Sequence, residues 1–189
     1  MLRTENLCVY TPDDCLFENL DLSFKPGSIT ILEGPNGFGK SMLLDHLSGI
    51  RVPTVGQVFF ESQDIAKLKP HLRTQLISSL GQEDTTPTDT LVSNRIRHGF
   101  LQASHNPIHE LSQSLGIEDL LNRRLGTLSG GQRKRVHIAR CLIHSTAKVY
   151  ILDEPDAGLD TDGKAKLWRL LEQKADAGGI VILAMHQYN

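Results

Sequence analysis

Residue types that mark several specialised protein classes are scarce in this 189-residue sequence. Its three cysteines, Cys8, Cys15 and Cys141, have neither disulfide-framework nor metal-ligand spacing, so we expect reduced thiols in a cytosolic protein. No apolar run reaches the roughly 18 residues of a membrane-spanning helix. Residues 1–6 lack the basic and then apolar order of a signal peptide. The sequence therefore predicts a chain that is neither exported nor membrane-spanning by itself.

An excess of charge of either sign is also missing. Lys and Arg number 20 against 22 Asp and Glu, which gives a formal net charge of -2. Because this balance offers no basic face to a polyanion, no nucleic acid is expected as a partner. With 39% hydrophobic residues, the chain is long enough for one well-buried domain, residues 1–189, and too short for two.

The sequence does contain a glycine-rich loop of a specific kind. Residues 34–41, GPNGFGKS, match the phosphate-loop template G-x-x-x-x-G-K-S/T at every fixed position. A β-branched run precedes the loop and helical apolar spacing follows it, which argues against a glycine turn that binds nothing. Lys40 is predicted to reach the β- and γ-phosphates of a nucleotide, and Ser41 to bind Mg²⁺. The predicted nucleotide-binding residues of this loop are Gly34, Pro35, Asn36, Gly37, Phe38, Gly39, Lys40 and Ser41.

Two carboxylates follow an apolar run near the end of the chain. Residues 149–152 read as a buried strand that leads into Asp153 and Glu154. Ligands bind at the carboxyl ends of strands in open α/β sheets. Asp153 is therefore predicted to hold Mg²⁺, and Glu154 to act as the general base for an attacking water. On these residues alone, a surface turn after a core strand is the alternative.

The order of apolar patterns predicts an α/β fold with a mainly parallel sheet. Extended segments of an antiparallel β lobe are expected at residues 2–10, 16–24 and 56–60. A short connection at 65–73 and a strand at 75–80 follow. Residues 91–121 have helical spacing and predict a small helical subdomain, in which His98, His105 and His109 are expected at the surface or in loops. Helix and strand then alternate at 131–144, 148–152, 161–177 and 180–184, as in a parallel sheet covered by helices.

A second glycine-containing helix start lies at residues 128–132, LSGGQ. A hydroxyl and two glycines at a helix N-terminus again face an anion, so Ser129, Gly130, Gly131 and Gln132 are predicted to bind nucleotide. Because the Lys40 loop already forms a cradle for one nucleotide, the helix N-terminus at Ser129 is expected to bind the nucleotide that is held by another molecule. This stretch and the RKRV that follows it resemble the signature region of the ATP-binding-cassette (ABC) ATPases.

The resemblance spans nearly the whole chain and implies roles for further residues. It implies a P-loop NTPase fold of ABC type, with a helical subdomain at about 83–128 inserted between the Q-loop and the signature. Gln82 matches the Q-loop glutamine, which contacts Mg²⁺, water and the membrane partner. Asp160 matches the D-loop aspartate that couples two sites, and His186 the switch histidine that holds the attacking water. Tyr10 matches an aromatic ring stacked on adenine, with simple packing as the alternative. Phe38 departs from the family, which commonly has a small residue there.

The resemblance to this family implies a motor protein that depends on ATP and Mg²⁺. It implies a head-to-tail homodimer, or a pair with another ABC ATPase, that energises transport through a separate polytopic membrane subunit. Its place would be peripheral, at the cytoplasmic face of the inner (plasma) membrane. The final residues look similar to the ATPase of the cytochrome c maturation system, the haem-exporter type, although that subfamily often has SAGQ in the signature and histidine at the Q-loop position. The alternative is a soluble ABC ATPase that remodels a nucleic-acid or protein complex.

Overall fold

The computed structural model describes residues 1–11, 14–81, 86–98, 107–144 and 146–185. The strands are β1 (Leu2–Glu5), β2 (Leu7–Tyr10), β3 (Cys15–Leu20), β4 (Ser23–Phe24), β5 (Ser28–Glu33), β6 (Gln57–Phe60), β7 (Gln63–Asp64), β8 (Ile77–Leu80), β9 (Val149–Asp153) and β10 (Ile180–Met185). The α-helices are α1 (Lys40–Ser48), α2 (Pro70–Leu76), α3 (Val92–Arg97), α4 (Pro107–Leu115), α5 (Gly130–Leu142) and α6 (Thr161–Asp176).

A parallel sheet in the order β5-β10-β9-β8 forms the centre of the structure. Every residue of β9 and β10 is buried, which explains why both read as nearly continuous apolar runs. Ile151 and Ile182 belong to the core on the α1 side, whereas Leu152 and Leu183 pack with α5 and α6 on the other. The predicted α/β fold with a parallel sheet is therefore confirmed. All four strands end at the same edge.

The antiparallel β lobe is confirmed as well. Strands β4-β1-β6-β7 form one antiparallel sheet, and β2 pairs with β3 in a hairpin. In this hairpin Tyr10 lies opposite Cys15, and Val9 opposite Phe17. The hairpin places Leu16 and Phe17 against the glycine loop that follows β5.

Residues 65–76 differ from the prediction of a connection followed by a strand from residue 75. The structure has a 3₁₀ turn at Ile65–Lys67 and then α2, so β8 begins only at Ile77. Pro70 favours a helix start because its fixed φ suits the first helical position and its missing N–H is not needed there. The side chain of Asp64 caps the turn by accepting a hydrogen bond from the Ala66 amide at 3.0 Å.

The helical predictions between residues 91 and 121 hold for α3 and α4, whereas Glu118–Leu120 is a 3₁₀ turn. His98 and His109 are exposed, as predicted, and His105 lies outside the described residues. Within the described ranges, no three His, Cys, Asp or Glu side chains come together in a way that could hold a metal ion. Cys8, Cys15 and Cys141 are free thiols, and those of Cys8 and Cys141 are buried.

None of the helices in the described residues is both long enough and apolar enough to cross a membrane.

Gly56 should be irreplaceable for stability. Its φ is +82°, and a Cβ there would lie 2.3 Å from the main-chain oxygen of Asn6, which is backbone and cannot rotate away. Gly56→Ala should therefore lower the free energy of unfolding by roughly 3 kcal/mol or more. Gly178 is the matched control, because it has φ +86° with open space around it. Gly178→Ala should cost only about 1 kcal/mol. Urea denaturation measures both; equal losses would contradict the steric explanation.

Candidate functional site

A cleft of about 620 Å³ opens at the carboxyl edge of the parallel sheet. Its walls include the loop residues from Asn36 to Ser41, the hairpin residues Thr11 and Leu16, and Glu154. The predicted phosphate loop and the predicted general base therefore face one cavity. This is the position that open α/β sheets use for ligands.

The loop between β5 and α1 depends on a glycine at residue 39. Gly39 has φ +86°, and a Cβ there would lie 2.7 Å from Leu16 Cδ1 and 3.0 Å from Phe17 Cε2. The residue directly precedes α1, so the backbone turns into the helix N-terminus at this point. First-turn amides of a helix have no intrahelical partner and carry partial positive charge, which suits a phosphate group.

The side chain of Lys40 folds back against the loop that precedes it in the sequence. It is only 8% exposed, and its Nζ donates to the main-chain oxygens of Gly34 at 2.6 Å and Pro35 at 2.9 Å. These two bonds hold the ammonium group within the wall of the cleft. A cation held there beside the amides of a helix start has the chemistry of a polyphosphate site.

Asp153 ends β9 and is 4% exposed. Burial raises the pKa of its carboxyl group, and this effect is opposed by a hydrogen bond from the Ser41 hydroxyl and by the charge of Lys134. Its Oδ1 atom is buried and has no hydrogen-bond partner among the described residues. A hydroxyl and a carboxylate in contact, one with an unsatisfied buried oxygen, are hard oxygen ligands that fit Mg²⁺.

Glu154 follows Asp153 at the strand end and lines the cleft. Its φ is +45°, an uncommon value for a residue with a side chain. Its amide donates to the main-chain oxygen of Ala184 at 2.9 Å, so the neighbouring strand β10 holds the unusual backbone. Residues held in such conformations concentrate at functional sites.

The signature segment forms the predicted helix start in an exposed position. The Ser129 hydroxyl accepts from the Gln132 amide at 3.3 Å, and the Gln132 side-chain oxygen accepts from the Ser129 amide at 3.1 Å. This capping box defines the N-terminus of α5. Gly131 packs on the chain after β9, since a Cβ there would lie 3.0 Å from the Gly158 oxygen. Within the described chain, residues 129–132 are not among those that line the Lys40 cleft.

Asp160 caps α6 by accepting from the Gly163 amide at 2.8 Å. Its Oδ2 atom lies 3.8 Å from Arg135 Nη2 on α5. Asp160 is not among the described residues that line the cleft, and its predicted coupling role stays a prediction.

Tyr10 is 42% exposed at the end of β2. Of the described residues, its neighbour Thr11 lines the cleft and Tyr10 does not. A hydrogen bond with Cys8 is the main cause that raises the pKa of the Tyr10 phenol to about 12. Adenine stacking by Tyr10 stays a prediction. Gln82 and His186, the predicted Q-loop and switch residues, lie outside the described residues.

Lys134 is a cleft residue that the sequence reasoning missed. It lies in the second turn of α5, and its Nζ donates to the Asp153 main-chain oxygen over 3.5 Å. It lines the same cleft as Lys40 and Glu154. The sequence showed only that Lys134 lies in the helix that starts at Ser129. Its place in the cleft comes from the packing of α5 beside the end of β9, which the sequence does not show.

The loop, its lysine and the acid-terminated strand define a P-loop nucleotide-binding domain, and comparisons with known proteins agree. The family model described as ABC transporter matches residues 17–157. The cytochrome c biogenesis ATP-binding export proteins CcmA of Shewanella sp. (strain MR-7) and Yersinia pestis are 36% and 33% identical over 192 residues. These alignments cover 99% of this chain and 87% and 86% of those proteins.

A solved structure, the putative ABC transporter ATP-binding protein from Pyrococcus furiosus, superposes with a TM-score of 0.85 at 27% identity. That alignment covers 100% of this chain and 92% of that one. The chain therefore belongs to the ABC transporter family, as an ATP-binding subunit that hydrolyses ATP. The resemblance to the cytochrome c maturation ATPases is confirmed by the same relatives.

Phe38 should contribute to ATP affinity through the loop that carries it. Its ring is 54% exposed and meets the Phe17 ring edge to face, with centroids 5.6 Å apart. Such a pair is worth roughly 0.5–1.5 kcal/mol. Phe38→Ala should therefore weaken ATP binding about two- to tenfold, as measured by titration calorimetry.

Phe59→Ala is the matched control, because this ring lies in the β lobe, where its centroid is 4.5 Å from Arg3 Cζ, and is not among the described residues that line the cleft. ATP affinity should be unchanged in the control. Equal affinity of Phe38→Ala and the unaltered protein would show that the ring does not support the loop.

Proposed function

We propose that this protein is the ATPase subunit of an export complex for cytochrome c biogenesis, and that it works as a head-to-tail dimer with Mg²⁺-ATP at each of two shared sites. One observation carries the dimer: the chain has two anion-facing helix starts, at Lys40 and Ser129, and among the described residues only the first belongs to the cleft. The similarity to ATP-binding export proteins supports the assignment to cytochrome c biogenesis. Haem is the cargo that the subfamily resemblance implies.

In each half-site the chain supplies the phosphate cradle and the base. The amides from Gly37 to Ser41 and the Lys40 ammonium bind the phosphates. Ser41 and Asp153, together with Gln82, would hold Mg²⁺, which would supply positive charge to offset that of the phosphates. Glu154 accepts the proton of the attacking water, and His186 keeps that water in position.

A second copy completes the site with its signature. The capping box uses the amide of Gln132, and the glycines at 130 and 131 put no side chain over the remaining first-turn amides. Ser129 and Gly130 are exposed, so this helix end is free to meet a phosphate carried by the partner chain. ATP then joins the two chains, and its hydrolysis releases them.

The remaining parts serve the connection to a membrane subunit. We assign residues 1–189 to one ATPase domain, with the inserted helical subdomain at about 83–128. Helices α3 and α4 pack on α5, so a force on this region reaches the signature helix directly. A polytopic membrane subunit is the expected partner, with this chain peripheral at the cytoplasmic face of the inner membrane.

Glu154→Gln should bind ATP without turnover and form a stable dimer, because the amide keeps the shape of the carboxylate but cannot accept the proton. Hydrolysis should fall by about a hundredfold or more. The dimer should appear in sedimentation with ATP and disappear after ATP is removed. Unchanged turnover in this variant would contradict the assignment of the base.

The shared site is tested by adding Ser129→Arg to Glu154→Gln. This double variant should still bind ATP to its Lys40 loop but should no longer dimerise, because the arginine blocks the signature end. Ser114→Arg in the same background is the control, since Ser114 is an exposed serine on α4. An ATP-dependent dimer that survives Ser129→Arg would contradict the head-to-tail arrangement.

A further inference from the structure

We propose that Lys134 is a positioning residue for ATP hydrolysis, whose ammonium group holds the Glu154 carboxylate in its working place in the cleft. This inference rests on the proposed function, because it takes Glu154 as the base that accepts the proton of water. Lys134 would act within its own chain, on the half-site that contains its own phosphate loop.

The location of Lys134 is the first support. Its side chain is half-buried and reaches from α5 to the end of β9, where its Nζ donates to the Asp153 main-chain oxygen at 3.5 Å. This oxygen belongs to the peptide bond that leads into Glu154. Lys134 and Glu154 line the same cleft. The ammonium group therefore stands next to the point at which the chain leaves the sheet.

The charges around Lys134 are the second support. Burial lowers the pKa of its ammonium group, and the carboxylates of Asp153, Glu154 and Asp156 oppose this effect. All three acids lie at the end of β9 or directly after it, within the four positions 153 to 156. Acids so close together repel one another. A cation beside them reduces this repulsion.

The backbone of Glu154 explains why such help is needed. A side-chain-bearing residue at φ +45° stores strain that the surroundings must offset. The hydrogen bond from the Glu154 amide to Ala184 fixes the main chain at this point. This bond acts on the main chain, whereas the charge of Lys134 acts on the side chain.

Lys164 offers a comparison within the same acidic group. Its Nζ lies 3.2 Å from Asp156 Oδ2, but its side chain is 49% exposed and it is not among the described residues of the cleft. An exposed ion pair of this kind contributes little. A variant that lacks Lys164 therefore loses a lysine beside Asp156 but keeps the positive charge in the cleft, which makes it a control for Lys134.

The test compares Lys134→Met, Lys134→Arg and Lys164→Met in steady-state ATP hydrolysis. Lys134→Met should lower kcat about ten- to hundredfold while the KM for ATP stays within about threefold, because only the base is misplaced. Lys134→Arg keeps the charge and should recover most of the lost kcat. Lys164→Met should match the unaltered protein. An unchanged kcat in Lys134→Met, or no recovery with arginine, would overturn the proposal.

Combination with Glu154→Gln separates positioning from a general structural role. If Lys134 acts through the Glu154 charge, adding Lys134→Met to Glu154→Gln should leave both the residual hydrolysis and the ATP-dependent dimer unchanged. A further loss of either, or a raised KM at unchanged kcat in Lys134→Met alone, would overturn it. If Glu154→Gln itself keeps full turnover, the proposed function fails; if only Lys134→Met does, this inference alone fails.

Discussion

The pairing of β10 between β5 and β9 is the constraint on which the rest of the site depends. In this register Met185 lies beside Glu33, and Ala184 lies beside Asp153. The strands that lead into the phosphate loop and into the acids therefore end at one edge. Burial of all six residues of β10 removes apolar surface from water, and this free energy fixes the register. A slip by one residue would also displace the Ala184 oxygen from the Glu154 amide.

At that edge, charges of opposite sign are stable only because they are close together. Burial raises the pKa of Asp153 and lowers that of Lys134, so in isolation each group would tend toward its neutral form. Each charge opposes the effect of burial on the other, and the Ser41 hydroxyl adds to the stabilisation of the carboxylate. Lys40 is satisfied separately, by the carbonyl oxygens of its own loop. The cleft thus keeps a metal-type oxygen site and a phosphate-type cation site side by side.

The parts of this site that could be predicted from the sequence are those in which a short motif determines the local backbone conformation. Residue 39 has to be glycine because its φ is positive and because a Cβ there would collide with the Leu16 side chain. The phosphate-loop template has a fixed glycine at this position. Strands β9 and β10 of the sheet were predictable because they are wholly buried and therefore read as apolar runs. Helix α2 was missed because it has only seven residues and none of them is fully buried, so its apolar pattern is weak. Lys134 was missed because its place in the cleft comes from the packing of α5 beside β9, a tertiary relation that helical periodicity does not contain.

Direct contacts inside one chain join the signature end of α5 to the segment that follows β9. Gly131, at the signature end, leaves no room for a side chain above the Gly158 oxygen, and Arg135 lies 3.8 Å from the Asp160 carboxylate. The segment that carries these two partners follows directly after Glu154 in the chain. A shift of the signature helix therefore displaces the residues that follow Glu154. In the proposed head-to-tail dimer the signature would rest on the nucleotide of the partner, so the state of one nucleotide would reach the acids of the other half-site through these contacts.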